Sequence, residues 1–232
     1  PPGADTRMLA RFGDDDAGRF GLESLRENGI DLEFSETVSG AETQIAFIVI
    51  DEASGERTVI WKRDKKLRVE GRDAPNSAIE NCRLLHMTPH DTQACIRLAE
   101  KARAAGVPVS LDIDNVFNGI ETLLPLVDIL IAGSEFPQKF LGIDDPSKAL
   151  QGLISKYANA LVGVTLGSRG SLMLCNGEFI ETKGFEVPGG CKDTTGAGDA
   201  FRVGLLYGLF SGKSVEEAAR MANAVAALKC RS

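Results

Sequence analysis

The sequence lacks paired cysteines, an excess of positive charge and any long apolar run. Its five cysteines are scattered and form no C-x-x-C motif, which argues against a disulfide framework or zinc site and favours thiols of a reducing compartment. Its 26 basic and 33 acidic residues give a net charge of −7, which is not typical of a nucleic-acid-binding surface. No apolar run approaches the length of a bilayer span, and no signal peptide opens the chain. We therefore expect a cytoplasmic protein that binds neither nucleic acid nor membrane.

The chain is long enough to bury a sizeable core. Its 232 residues are 43% hydrophobic, which fits one domain with a small appendage. Apolar segments that read as strands alternate with segments that read as helices, and the expected strands are 82–87, 107–111, 128–132 and 161–166. This alternation predicts right-handed crossovers and an α/β fold, with a doubly wound, mostly parallel sheet. His86, flanked by apolar residues on the first of these strands, is expected to be a core histidine.

Around this body the sequence indicates two hairpins. Residues 45–50 and 58–61 are rich in β-formers and flank the polar turn 51–56, which predicts a hairpin in a small separate sheet, a candidate lid. A second hairpin is centred on Asn176-Gly177. A final helix is expected to start behind a capping box at Ser214.

The first residues predict a strand at 7–12 and then a helix. Phe20, Leu22 and Leu25 would form the apolar side of that helix, and Gly29 would end it. The aspartates at 14–16 could hold a metal, although capping of the helix start explains them more simply.

The stretch from Asp193 to Phe201 indicates an anion site. Gly196, Ala197 and Gly198 allow a sharp turn, and the apolar helix that follows would present free N–H groups at its positive end. Asp199 in the first turn could accept a proton from a hydroxyl while those amides hold a phosphoryl group. The simpler alternative is that Asp199 only caps a helix and the glycines only make a turn.

A second glycine-bounded turn follows the strand 161–166. It reads Thr165-Leu166-Gly167-Ser168-Arg169-Gly170 and lies where ligands bind in open α/β sheets, beyond the C-terminal end of a strand. An ordinary hairpin turn is the alternative.

Together these stretches resemble the PfkB (ribokinase-like) carbohydrate kinases, and Gly3, Gly13 and Gly18 resemble the end of that family's first signature. The resemblance implies a ribokinase-like fold and an ATP-dependent kinase that phosphorylates a hydroxyl of a sugar or sugar-like metabolite. Asp199 would be the general base, and Gly196, Ala197 and Gly198 would form the anion hole. The residues implied to contact ATP are Thr165, Leu166, Gly167, Ser168, Arg169, Gly170, Gly198 and, near the adenine, Asn223. A solvent-facing position on its helix is the alternative for Asn223. Asp193 and Thr195 would help to hold a monovalent cation such as K⁺.

The magnesium motif of the family departs from its usual form. Its Asn-x-x-Glu would fall at 133–136, where Gly133 and Phe136 stand instead. Glu135 is a candidate Mg²⁺ ligand one position early, and a solvated glutamate at a helix start is the alternative.

The resemblance also sets expectations for the whole chain. The sugar-binding half of the first signature would precede Gly3 and the family continues beyond Ser232, so the chain is expected to be a fragment or a shortened variant. We expect one domain over residues 1–232, with a lid insertion at about 33–65 through which two copies could pair. The alternatives are a nucleoside kinase of the same family and a non-catalytic, ligand-sensing relative.

Overall fold

A computed structural model describes residues 5–50 and 57–231. The chain divides into two compact units, an N-terminal unit within residues 1–80 and a C-terminal unit within residues 81–232. Within the described residues, no helix combines the length and the apolar character that crossing a bilayer requires.

The N-terminal unit contains two small sheets. Strand β1 (Arg11–Gly13) pairs in parallel with β2 (Glu36–Val38), and helix α1 (Asp16–Glu27) lies between them in sequence. Strands β3 (Ile45–Ile50) and β4 (Arg57–Lys62) form a separate antiparallel pair. This pair confirms the predicted hairpin in a small sheet of its own, while its predicted turn lies outside the described residues.

The start of α1 confirms the capping interpretation of the aspartates. Asp15 is the N-cap, and its carboxylate accepts hydrogen bonds from the N–H of Gly18 and from Thr43. The carboxylate of Asp14 accepts from the N–H of Gly40. These bonds hold the pKa of both carboxyl groups below the usual value, as expected for carboxylates that accept several hydrogen bonds.

Two expectations for this unit are wrong in detail. The predicted strand at 7–12 is reduced to an isolated bridge between Arg7 and Asp31 and to β1, which pairs with the three-residue strand β2. Phe20 does not belong to a buried side of α1: it is 75% exposed, whereas Leu22 is buried.

The C-terminal unit is built on a six-stranded sheet with the order β10-β9-β8-β7-β6-β5. The strands are β5 (Leu85–Met87), β6 (Val109–Ile113), β7 (Ile129–Ala132), β8 (Leu161–Thr165), β9 (Ser171–Cys175) and β10 (Glu178–Thr182). Strands β5 to β8 run parallel, and β9 and β10 add an antiparallel edge. The predicted mostly parallel α/β sheet is confirmed.

Helices connect and cover this sheet. They are α2 (Thr92–Ala104), α3 (Ile120–Leu123), α4 (Phe136–Leu141), α5 (Pro146–Tyr157), α6 (Ala197–Phe210) and α7 (Val215–Lys229). Ser214 and Glu217 form the predicted capping box of α7. Helices α6 and α7 pack closely because Gly204 and Gly208 lie against Ala222 and Ala218, where a β-carbon on either glycine would collide.

The core lies on both faces of the sheet. Phe201 and Leu205 of α6 pack in one cluster with Ile131 of β7 and Met173 of β9. Leu130 precedes Ile131 on β7 and is also fully buried. Because successive side chains of a strand point to opposite faces, both faces are covered, which is the doubly wound arrangement.

Candidate active site

Helix α6 begins behind a glycine in the left-handed conformation. Gly196 has a φ of 75°, which a residue with a side chain adopts only with strain. The N–H of Ala197 donates to the carbonyl oxygen of Thr194 at 3.1 Å, whereas the N–H groups of Gly198 and Asp199 have no acceptor among the described residues. Two amides at the positive end of a 14-residue helix therefore remain available to an anion.

Asp199 lies in the first turn of α6. Its side chain is exposed, and it forms no hydrogen bond or ion pair with any residue that the structure describes. The helix cap is Gly196, which offers no side-chain acceptor. The alternative that Asp199 only caps α6 is therefore wrong, and its carboxylate is accessible from solvent beside these amides.

The loop before α6 is attached to the end of α7. The N–H groups of Lys192 and Asp193 donate to the carbonyl oxygen of Cys230 at 2.9 and 3.4 Å. Asp193 Oδ1 accepts from the N–H of Thr195 at 2.8 Å. The Oγ1 atom of Thr195 is buried and has no hydrogen-bond partner within the described chain. A buried hydroxyl oxygen beside a carboxylate is a donor set that suits a monovalent cation, and the lack of another partner leaves this oxygen free to bind one.

The turn 165–170 is closed by hydrogen bonds of its own backbone. The N–H of Leu166 donates to the carbonyl oxygen of Gly170 at 2.8 Å, and residues 167–169 form one 3₁₀ turn. Gly170 has a φ of 98°, and a β-carbon there would overlap the carbonyl oxygen of Thr182. Gly167 borders open space, because nothing lies within 4 Å of a β-carbon built on it. The turn is thus held tightly at Gly170 and is open at Gly167 to Arg169, whose residues are exposed.

Asn223 connects α7 to the β9–β10 hairpin. Its side chain is 6% exposed, and its Nδ2 donates to Thr182 Oγ1 at 2.9 Å and to Ser171 Oγ at 3.2 Å. The alternative that Asn223 faces solvent is therefore wrong. Ser171 directly follows the turn 165–170, so Asn223 supports the hairpin that this turn begins.

Glu135 is an exposed residue directly before α4. It pairs with Lys139 at 2.8 Å, one helical turn along, and this contact lowers the pKa of the Glu135 carboxyl. Among the described residues there is no group of three or more His, Cys, Asp and Glu side chains that could hold a metal ion. The geometry at Glu135 is that of a surface ion pair.

Two residues near the site escaped the sequence reasoning. Arg202 of α6 is 7% exposed and forms an ion pair with Asp112, near the C-terminal end of β6. Burial raises the pKa of Asp112 to about 7; Arg202 opposes this shift, and the charges of Asp199 and Asp114 add to it. The sequence did contain a signal for Arg202, because it is a charged residue within the apolar run that follows Asp199 in α6.

His86 is not the core histidine that its apolar neighbours predicted. It is exposed on the edge strand β5, and its Nδ1 lies 3.1 Å from Ser110 Oγ. Desolvation by the surrounding protein and then the charge of Arg202 lower its pKa, and Asp199 opposes them. His86 is exposed because β5 lies at the edge of the six-stranded sheet, with a neighbouring strand of this sheet on one side only.

Comparisons with known proteins agree with this fold and these motifs. A family model described as pfkB family carbohydrate kinase matches residues 2–232. An ATP-dependent 6-phosphofructokinase of Thermoanaerobacterium thermosaccharolyticum is 26% identical over 246 residues, which cover 99% of this chain and 74% of that protein. An ATP-dependent ribose-1-phosphate kinase of Halopiger xanaduensis is 27% identical over 227 residues, which cover 97% of this chain and 74% of that relative.

A solved structure is similar over the same length. The ribokinase of Arabidopsis thaliana, complexed with ribose and ATP, superposes with a TM-score of 0.82 at 26% identity, covering 98% of this chain and 76% of that one. The match to the family model spans nearly the whole sequence and includes both glycine-bounded turns. The chain belongs to the PfkB family of carbohydrate kinases, phosphotransferases that use an alcohol group as acceptor.

Proposed function

We propose that this chain transfers the γ-phosphoryl group of ATP to a hydroxyl group of a sugar or sugar-like metabolite, with Asp199 as the general base. The observation that carries the proposal is the exposed carboxylate of Asp199, which has no hydrogen bond or ion pair within the described residues and lies beside N–H groups of α6 that likewise have no acceptor there. The carboxylate would take the hydroxyl proton as the oxygen attacks phosphorus. A solved relative that holds ribose and ATP supports this substrate class.

The amides at the start of α6 would stabilise the transferring phosphoryl group. The proposed anion hole comprises Gly196, Ala197 and Gly198. Because the N–H of Ala197 already donates to Thr194, the amides of Gly198 and Asp199 are the donors best placed for the charge that develops in the transition state. Phosphoryl transfer depends mainly on positioning and on this kind of electrostatic stabilisation.

The nucleotide would bind at the turn 165–170. Its exposed 3₁₀ segment, Gly167 to Arg169, offers backbone and side-chain donors to the phosphates, and Thr165, Leu166 and Gly170 hold that segment in place. Asn223 would lie near the adenine, because it is hydrogen-bonded to the hairpin that follows this turn. Since its amide nitrogen is engaged by Ser171 and Thr182, its carbonyl oxygen would be the group available to the nucleotide.

Two cations belong to the proposal. A monovalent cation such as K⁺ would bind at Asp193 and at Thr195 Oγ1, which has no hydrogen-bond partner in the part of the chain that the structure describes, and would fix the loop that leads into the anion hole. Mg²⁺ would arrive with ATP and neutralise phosphate charge. Lys139 pairs with Oε2 of Glu135, so while this ion pair persists Oε1 would be the oxygen that Glu135 offers to Mg²⁺.

The test of the general base is the substitution Asp199→Asn. We expect turnover to fall by at least about 10²–10⁴-fold, the contribution of a positioned proton acceptor, while ATP still binds. Phosphorylated product would be followed by mass spectrometry across a panel of sugars, and ATP binding by calorimetry.

The matched control is Asp144→Asn, another exposed aspartate with no ion pair in the described structure. This control should retain full activity. An Asp199→Asn protein as active as the control would remove the assignment of the base. Nucleosides in the same panel decide between a sugar kinase and a nucleoside kinase, and a chain that binds ATP without transfer to any acceptor would be a ligand-sensing relative.

We also propose that two copies pair through the β3–β4 hairpin. Large apolar side chains are exposed on both of its strands, among them Phe47 at 67%, Ile60 at 60% and Trp61 at 54%. Exposed apolar side chains concentrated on one small sheet are typical of an interaction surface.

A further inference from the structure

Arg202 is a buried cation on a helix that otherwise buries apolar residues. It lies one turn after Gly198 on α6, and long side chains on a helix lean back towards its N-terminus. A β-carbon added at Gly198 would collide with Arg202 Nη1. The guanidinium group therefore lies against the first turn of α6 at Gly198, whose N–H has no acceptor among the described residues.

The hydrogen-bond donors of this guanidinium group are only partly satisfied within the described residues. Arg202 Nη2 pairs with Asp112 Oδ1, but Arg202 Nε is buried with no hydrogen-bond partner in the described part of the chain. Asp112 itself holds a proton more readily than an ordinary aspartate, since burial raises the pKa of its carboxyl group to about 7. An ionised group buried with an incomplete set of partners is costly, which suggests that a ligand supplies the missing negative charge.

We propose that Arg202 recognises the γ-phosphoryl group of ATP at the first turn of α6, together with the N–H groups of Gly198 and Asp199. The inference rests on the proposed kinase function and adds a residue to its phosphate site. Guanidinium donors match phosphate oxygens in geometry and form strong charge-assisted hydrogen bonds with them. Asp112 pairs with Nη2 of Arg202. This contact fixes the orientation of the guanidinium group, with Nη1 beside Gly198. The competing explanation is a purely structural ion pair between Arg202 and Asp112.

The experiment compares the affinities of ATP and ADP, because the two nucleotides differ in the γ-phosphoryl group alone. Dissociation constants for both, with Mg²⁺, would be measured by calorimetry for the wild type, Arg202→Met and Asp112→Asn. We expect Arg202→Met to weaken ATP binding by about tenfold or more, the size of a lost charge-assisted hydrogen bond, and to leave ADP binding unchanged. Asp112→Asn keeps the guanidinium group and should keep the preference for ATP.

A double variant excludes a structural explanation. Arg202→Met combined with Asp112→Asn removes both charges of the pair and should fold even if Arg202→Met alone does not, which denaturant unfolding would show. We expect its ATP-to-ADP preference to match that of Arg202→Met. If it recovers the wild-type preference, or if every variant weakens ATP and ADP alike, the pair is structural and the inference is overturned.

These binding measurements do not depend on the acceptor. If no acceptor in the panel is phosphorylated but the preference for ATP depends on Arg202, the proposed function fails and the phosphate contact stands. If sugars are phosphorylated and Arg202→Met leaves the ATP-to-ADP preference intact, the proposed function stands and the role of Arg202 is refuted.

Discussion

At the scale of single residues, Asp112 should make stability depend on pH. Its carboxyl pKa is about 7 in the folded chain against a reference value of 3.8. Between these values the folded state binds more protons than the unfolded state, so the free energy of unfolding falls as pH rises from about 4 to about 7. Asp112→Asn has no titrating carboxyl group at this position, so this contribution to the fall should be absent from its profile.

Denaturant unfolding of the wild type and Asp112→Asn at several pH values across this window checks that expectation. Both proteins share every other titrating group, so the difference between their two profiles isolates Asp112. Parallel profiles would mean that Asp112 has an ordinary pKa in the folded chain. Its carboxyl group would then carry a full negative charge beside Arg202 at neutral pH.

Asp199 and Arg202 also show what local sequence can and cannot predict about a site. The glycines at 196 and 198 are local turn chemistry, so the sequence places Asp199 in the first turn of a helix that starts there. The pairing of Arg202 with Asp112 joins positions 90 residues apart, and no spacing rule connects a helix residue to a distant strand. Similarly, the N–H of Ala197 donates to the carbonyl oxygen of Thr194. This hydrogen bond depends on the exact backbone conformation of the turn, which the residue types alone do not determine.

At the scale of elements, the turn 165–170 depends on Gly170. Gly170 and Gly177 both have a φ in the left-handed region, but a β-carbon at Gly170 would also overlap the carbonyl oxygen of Thr182, whereas one at Gly177 meets nothing within 4 Å. Gly177→Ala should therefore cost only the backbone strain, about 1–2 kcal/mol. Gly170→Ala should cost a further 1–3 kcal/mol or so from the steric overlap and should weaken ATP binding.

Unfolding free energies and ATP affinities of the two alanine variants measure this difference. If both variants lose the same stability, the closure of the turn against Thr182 does not matter. If Gly170→Ala loses stability and retains full ATP affinity, the nucleotide does not use this turn.

The elements of the C-terminal unit were more predictable than those of the N-terminal unit for a physical reason. Strands β7 and β8 are buried on both faces and read as apolar runs, and α5 and α7 begin with side-chain caps at Asp145 and Ser214. In the N-terminal unit, β1 and β2 are three residues each, and strands so short leave little pattern to detect. Exposure of Phe20 likewise depends on which surfaces pack, which helical periodicity alone does not determine.

At the scale of the whole molecule, the β3–β4 hairpin is a surface with exposed apolar side chains on both of its strands. In an antiparallel pair, directly opposed residues share a face, so Phe47 and Ile60 lie on one face and Ile48 and Val59 on the other. All four are exposed. A two-stranded sheet has little stability by itself, and burial of either face against a second copy would supply the missing apolar contacts.

The resulting prediction is a homodimer that a single charge on the hairpin disrupts. Phe47→Asp places a carboxylate at the centre of one apolar face, where pairing would bury it without a partner, and we expect the variant to have half the wild-type mass by light scattering. Phe20→Asp is the matched control, because Phe20 is a 75% exposed phenylalanine of the same unit outside the hairpin, and it should remain a dimer. Ile48→Asp tests the opposite face: dissociation by Phe47→Asp alone would assign the contact to the Phe47 face, and dissociation by both would place both faces in the interface. A wild-type protein that stays monomeric at high concentration, or a dimer that both hairpin variants leave intact, would rule out pairing through this hairpin.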